Sequence, residues 1–78
     1  MAELARAAYE TLVARGYPAE IAYIECVQEM RALAEVLFDR GIAGMREVVS
    51  SPAAWGGLRA GRTIIDRGTR RRLDALLD

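Results

Sequence analysis

The chain has 78 residues, 53% of them hydrophobic, with eleven arginines balanced by eleven acids and no histidine. A domain this small gains only a modest surplus over chain entropy, so a staple or a partner is expected. One cysteine excludes an internal disulfide, the lack of histidine removes zinc-type clusters and every His-based nucleophile set, and zero net charge gives no overall pull toward nucleic acid or anionic membrane.

Taken in order, Glu3–Arg15 reads as a first helix. Leu4, Ala8, Leu12 and Ala5, Tyr9, Val13 form neighbouring i, i+4 rows, giving one broad apolar face. Gly16 stands where a left-handed residue closes a helix, and Pro18 falls near the first turn of the next. The spacing predicts a long second helix from about Pro18 to Arg40, ended by Gly41. Ile21, Ile24, Val27, Met30, Leu33, Val36 and Leu37 place apolar side chains around more than half its circumference, as in a helix contacted on several sides. Cys26 reads there as a small core residue, and Arg31, Glu35, Asp39 and Arg40 as the solvated side.

Ile42–Val49 is expected as a shorter helix in which Gly44 admits close approach of another backbone. Ser51 as a cap and Pro52 as an opener predict a helix of one or two turns ending at Trp55-Gly56-Gly57. Leu58–Thr63, rich in Gly and Arg, is expected to be an irregular connection. A last helix spans roughly Asp66–Leu77, with Asp66 its N-cap and Leu73, Leu76 and Leu77 its apolar edge. No strand pattern or internal repeat occurs, so the class is all-α, with residues 1–78 read as one domain.

The chemistry concentrates at Ala22–Glu29, AYIECVQE. Glu25 and Glu29 lie four residues apart in an apolar run, which on a helix points both the same way. Like charges at that spacing repel, and more so if desolvated, so the pair needs a cation, a shared proton or water. A solvated helix edge shows the same spacing, and buried acids are scarce.

The blocks ETLVARGYPAEIAYIECVQEM and RGIAGMREVVSSPAAWGG resemble the knotted, all-helical C-terminal domain of ketol-acid reductoisomerase. That family reads close to ETLVEAGYxPExAYFECLHE, then GGIAGMRYSISxTAEYGD, then GPR and a basic last helix. The resemblance covers nearly the whole chain and implies an intertwined homodimer. In the family two Mg²⁺ ions among carboxylates hold the substrate through an alkyl shift, and a Rossmann domain delivers hydride from NADPH. Carried over residue by residue, it implies that Glu25 and Glu29 are metal-site acids and that Ser50 binds substrate. Mg²⁺ favours hard oxygen ligands and keeps several waters, which suits two carboxylates.

Several family positions differ. The His of LHE is Gln28, the Tyr after MR is Glu47 and the acid of GD is Gly57, and the family's DLFGEQ block with its two further acids is not among these residues. No Gly-rich βαβ unit occurs, so NADPH is not expected to bind this chain. Three functions follow: a non-redox isomerase or cyclase using Glu25 and Glu29 as acid and base on a small oxygenated metabolite, at a homo-oligomer interface; a non-catalytic oligomerisation or ligand-binding module; or a split reductoisomerase subunit awaiting a Rossmann partner. Glu25 and Glu29 are candidate catalytic and Mg²⁺ residues, Ser50 a candidate substrate-binding residue. Two close carboxylates push each other's pKa values apart, which suits an acid and a base.

The start is charged rather than signal-like, and no apolar run reaches a membrane span. A cytoplasmic protein is expected, with no nucleic acid or membrane partner. Residues 1–41 carry seven acids against four arginines and residues 42–78 seven arginines against four acids, a polarity able to orient two chains.

Overall fold

The computed structural model describes residues 1–78. Its elements are α1 (Ala2–Ala14), α2 (Ala19–Tyr23), a π-helical turn (Ile24–Gln28), α3 (Glu29–Val48), α4 (Ser51–Ile64) and α5 (Arg67–Ala75), with no strand. Two compact units divide the chain at Met1–Met45 and Arg46–Asp78. No helix is long and apolar enough to cross a membrane.

In Met1–Met45, α1 stops where Gly16 turns to φ 94°, a conformation that costs glycine nothing. Pro18, extended at φ −58° and ψ 139°, leads into α2, which packs with the π-turn against α1. Ala22 is 0% exposed, and its small side chain lets the helices approach. The Tyr9 and Tyr23 rings meet edge to face with centroids 6.4 Å apart and planes at 85°, the arrangement favoured by the ring quadrupoles. Leu12, Cys26, Val27 and Met30 are half-buried.

The expected continuous helix from Pro18 to Arg40 is corrected in one place: five residues, Ile24–Gln28, form a π-turn. The Glu29 N–H bonds the Ile24 carbonyl, five residues back. Periodicity cannot register such a turn, because one inserted residue leaves the apolar pattern on either side nearly intact.

α3 bends at Gly41, at φ 71° and ψ −179°. This is a region open essentially to glycine alone, so Gly41 divides the element where the sequence placed a helix end. Across the bend, a Cβ on Gly44 would stand 2.5 Å from the Arg40 Cβ. The close approach expected at Gly44 is therefore made by a side chain from before the bend, not by another backbone.

In Arg46–Asp78, two expectations are corrected. The cap of α4 is Ser50, not Ser51: its Oγ accepts from the Ala53 N–H at 3.3 Å, and Pro52 lies in the first turn. The helix does not stop at Gly57 but runs to Ile64, so Leu58–Thr63 is helical and not an irregular connection. Glycine costs about 1 kcal/mol in a helix interior. Ala53, Ala54, Leu58, Arg59, Ala60 and Arg62 are strong helix formers, enough to carry the helix through Gly56, Gly57 and Gly61. Ile65, at φ −98° and ψ 74°, breaks it.

Asp66 caps α5 as expected. Its Oδ1 accepts from the Thr69 N–H at 2.9 Å. Thr69 Oγ1 in turn donates to the Ile64 carbonyl at 2.6 Å and accepts from Arg72 Nη2 at 3.3 Å, tying the end of α4 to the start of α5. The Thr69 backbone bond, then the Thr69 hydroxyl, hold the Asp66 carboxyl below its ordinary value of 3.8. A depressed folded-state pKa gives stability that is present above 3.8 and lost as pH falls through the lower, folded value. Helicity followed by circular dichroism from pH 5 to pH 2 should accordingly include an α5 loss. Asp66→Asn, which still caps but does not titrate, should remove that component, and Asp66→Ala should fray α5 at every pH.

Candidate functional site: the π-turn carboxylates

Glu25 lies within the π-turn and Glu29 at its end, on adjoining turns of one helical path. Both are exposed. Two grooves run along the junction of α1 with these turns. One, of about 410 Å³, is lined by Tyr9, Ala19, Glu20, Tyr23, Ile24 and Gln28. The other, of about 460 Å³, is lined by Ala2, Ala5, Arg6, Tyr9, Tyr23, Val27 and Met30. Neither Glu25 nor Glu29 lines them. The π-turn thus gives one side to α1 and leaves its carboxylates on another, open to whatever approaches from outside the chain. Turns of this kind recur at functional sites because the inserted residue re-aims the side chains around it.

No third His, Cys, Asp or Glu joins the pair in a cluster able to hold a metal ion. The donor set is nevertheless of the right chemistry for Mg²⁺, which is bound through one or two carboxylates while keeping several waters. Glu25 and Glu29 would hold one side of such an ion, which would polarise and orient a substrate oxygen. The chain has no strand, and hence no strand–glycine-loop–helix cradle of the kind that receives a dinucleotide pyrophosphate.

Ser50 sits in the other unit. Its Oγ spends a lone pair on the Ala53 N–H, and its own proton stays free to donate to a substrate oxygen. The hydroxyl is therefore oriented by the cap without being consumed by it. The two ion pairs in the chain, Arg6–Glu3 and Arg31–Glu35, both 3.7 Å, are exposed and contribute little.

Two features escaped the sequence reading. Tyr9 and Tyr23 form an aromatic partition shared by both grooves, which the i, i+4 rows hint at for Tyr9 alone. On α4 the Arg59 guanidinium lies 5.3 Å from the Trp55 ring centroid. The Trp55–Arg59 spacing of four was the available signal.

The model of the ketol-acid reductoisomerase C-terminal domain matches residues 1–78. This chain belongs to that family. The ketol-acid reductoisomerase (NADP(+)) of Saccharolobus solfataricus is 43% identical over 75 residues, covering 96% of this chain and 22% of the relative. The ketol-acid reductoisomerase (NAD(P)(+)) of Metallosphaera sedula is 44% identical over 71 residues, 91% of this chain and 21% of its own. Among solved structures, an NADH-preferring ketol-acid reductoisomerase from an uncultured archean superposes with a TM-score of 0.92 at 38% identity, over 97% of this chain and 23% of that one. The ketol-acid reductoisomerase C-terminal fold is thus present over nearly the whole chain, which spans little more than a fifth of the length of these relatives.

Proposed function

We propose that the chain is the helical part of a ketol-acid reductoisomerase site, acting in branched-chain amino-acid biosynthesis with residues outside these 78. Glu25 and Glu29 would hold Mg²⁺, which would polarise a substrate oxygen for the alkyl shift, and Ser50 would bind the ketol-acid substrate. Hydride transfer belongs to a dinucleotide-binding part not among these residues. The observation that carries this reading is the π-turn. It presents two carboxylates outward with no third ligand, half of a site rather than a closed one. A second copy of the chain, and a Rossmann-type part, are the expected sources of the rest.

An independent non-redox isomerase, built on the same two glutamates as acid and base, has less support. Such chemistry needs an enclosure that excludes water, and both carboxylates are open in the single chain. The two readings separate in one assay. The chain is mixed with the dinucleotide-binding part of the Saccharolobus solfataricus relative, Mg²⁺, NADPH and a ketol acid, and NADPH consumption is followed at 340 nm. Turnover in the mixture, absent from either component alone, is the expected result. Conversion of the ketol acid by the chain alone, with NADPH untouched, would favour the isomerase. No turnover in either arm would leave the chain as a binding or assembly module.

A further inference from the structure

Seven arginines against four acids leave Arg46–Asp78 with an excess of positive charge, and on α4 part of that excess meets an aromatic surface. Trp55, Leu58, Arg59, Arg62 and Thr63 line a groove of about 340 Å³, along one face of the helix. The Arg59 guanidinium lies 5.3 Å from the indole centroid, and Trp55 is 63% exposed. Neither Arg59 nor Arg62 belongs to an ion pair of the chain. Arg59 has no acid three or four residues away in either direction. For Arg62 the one acid at such spacing is Asp66, which stands beyond the break at Ile65 and accepts from the Thr69 N–H at 2.9 Å. Two guanidiniums at i, i+3 spacing therefore share a groove with no carboxylate of the chain to neutralise them. Thr63 Oγ1 donates to the Arg59 carbonyl at 3.0 Å, which leaves the guanidiniums as the free donors of the groove.

We propose that this α4 groove binds a small aromatic phosphomonoester, its phosphate held by Arg59 and Arg62 and its ring lying against Trp55 and Leu58. Charge selects the phosphate. A monoester carries about −1.5 to −2 at pH 7 and so matches both guanidiniums, whereas a carboxylate leaves one cation unmatched. Guanidinium forks also fit phosphate oxygens through parallel N–H bonds. The indole already orients Arg59, so less side-chain freedom is lost when the anion arrives. The ring is called for by Trp55 and Leu58, both exposed, which a bare phosphate would leave wet. Size limits the ligand: 340 Å³ is near the lower end of the roughly 300–1,000 Å³ usual for small-molecule sites, room for one ring and one phosphate. Arg70, Arg71 and Arg72 concentrate more charge, but α5 carries no aromatic residue. A ligand joining Arg59 to Arg62 spans a turn of a helix that contains Gly56, Gly57 and Gly61 and is capped by Ser50. Occupancy thus stabilises α4 behind the candidate substrate hydroxyl.

The probe is phenyl phosphate, titrated into the full chain without Mg²⁺. Trp55 is the only tryptophan, so its fluorescence reads the groove directly, and calorimetry gives the affinity independently. The expected result is a saturable fluorescence change with a Kd of about 1 mM or tighter, accompanied by a higher melting temperature. Arg59→Gln/Arg62→Gln should bind at least about tenfold more weakly by calorimetry, with circular dichroism checking that the variant folds. Where the double variant loses helicity, Arg62→Gln alone, which leaves the Arg59–Trp55 stack in place, should show at least about a threefold loss. Arg70→Gln/Arg71→Gln should bind as the parent does. Inorganic phosphate and benzoate, each carrying half of the recognised chemistry, should bind the parent at least about fivefold more weakly than phenyl phosphate. No saturation by about 10 mM, or an undiminished affinity in a folded Arg59→Gln/Arg62→Gln chain, would overturn the site. An equal loss in Arg70→Gln/Arg71→Gln would overturn it in favour of diffuse attraction to a basic surface. Inorganic phosphate binding as tightly as phenyl phosphate would overturn the part given to Trp55, and benzoate doing so would overturn the selection of phosphate.

Discussion

Glu25→Gln and Glu29→Gln should each lower turnover of the reconstituted reductoisomerase by roughly a hundredfold or more, with the helical content of the chain unchanged. Glutamine keeps the volume of the side chain but replaces an anionic oxygen donor by a neutral amide, which Mg²⁺ holds far less well. An ion that polarises a substrate oxygen supplies several kcal/mol to the barrier, and each 1.36 kcal/mol is a factor of ten in rate. Stability should move the other way, if at all. Both carboxylates are exposed and four residues apart, so removing one charge relieves a repulsion of a few tenths of a kcal/mol. Melting temperature and turnover therefore separate cleanly. Raised Mg²⁺ should restore part of the lost rate in each single variant. A variant that keeps parental turnover ends the assignment for that residue, and loss of helicity would mean the turn was built on the charge rather than serving it.

The second large effect belongs to Gly41. Alanine there meets a backbone at φ 71° and ψ −179° that costs a side-chain-bearing residue about 1–3 kcal/mol. For a domain this size each kcal/mol lowers the melting temperature by about 4–8 °C. The chain has an escape that ordinary glycine sites lack. Alanine is the best helix former, so Gly41→Ala favours a straight run through Glu29–Val48 instead of the bend. The expected signature is equal or higher helical content together with a lower melting temperature and lost turnover in the reconstituted assay. A Gly41→Ala chain as stable and as active as the parent would mean the bend is not required.

How much of this was legible beforehand differs element by element. α1, the Gly16 stop, the Gly41 break and the Asp66 cap all follow from local rules: an apolar period, a residue that alone tolerates positive φ, an oxygen placed to accept an N–H. Family membership was legible too, because the order and spacing of the blocks around IECVQE and GIAGMRE survive substitutions at single positions. α4 was not. Three glycines and two arginines between Trp55 and Thr63 look like a loop when each is weighed singly, and only the summed propensity of the neighbours carries the helix across them. Ser50 and Ser51 are likewise equivalent as caps on paper, and only the backbone decides which hydroxyl meets an N–H.

By itself, the sequence determined that this chain is helical, that its glutamates form one i, i+4 pair, and that its charge is divided between its two ends. Composition and spacing suffice for these, since they depend on neighbours along the chain. The tertiary structure alone decided that the Ile24–Gln28 turn is π rather than α, that α1 takes the Tyr9–Tyr23 side of it, and that Glu25 and Glu29 are left on the open one. Packing against α1 chooses which side of a nearly all-round apolar helix is covered, and that choice depends on residues distant in sequence. It is this choice that leaves the like-charged pair exposed on the outer side.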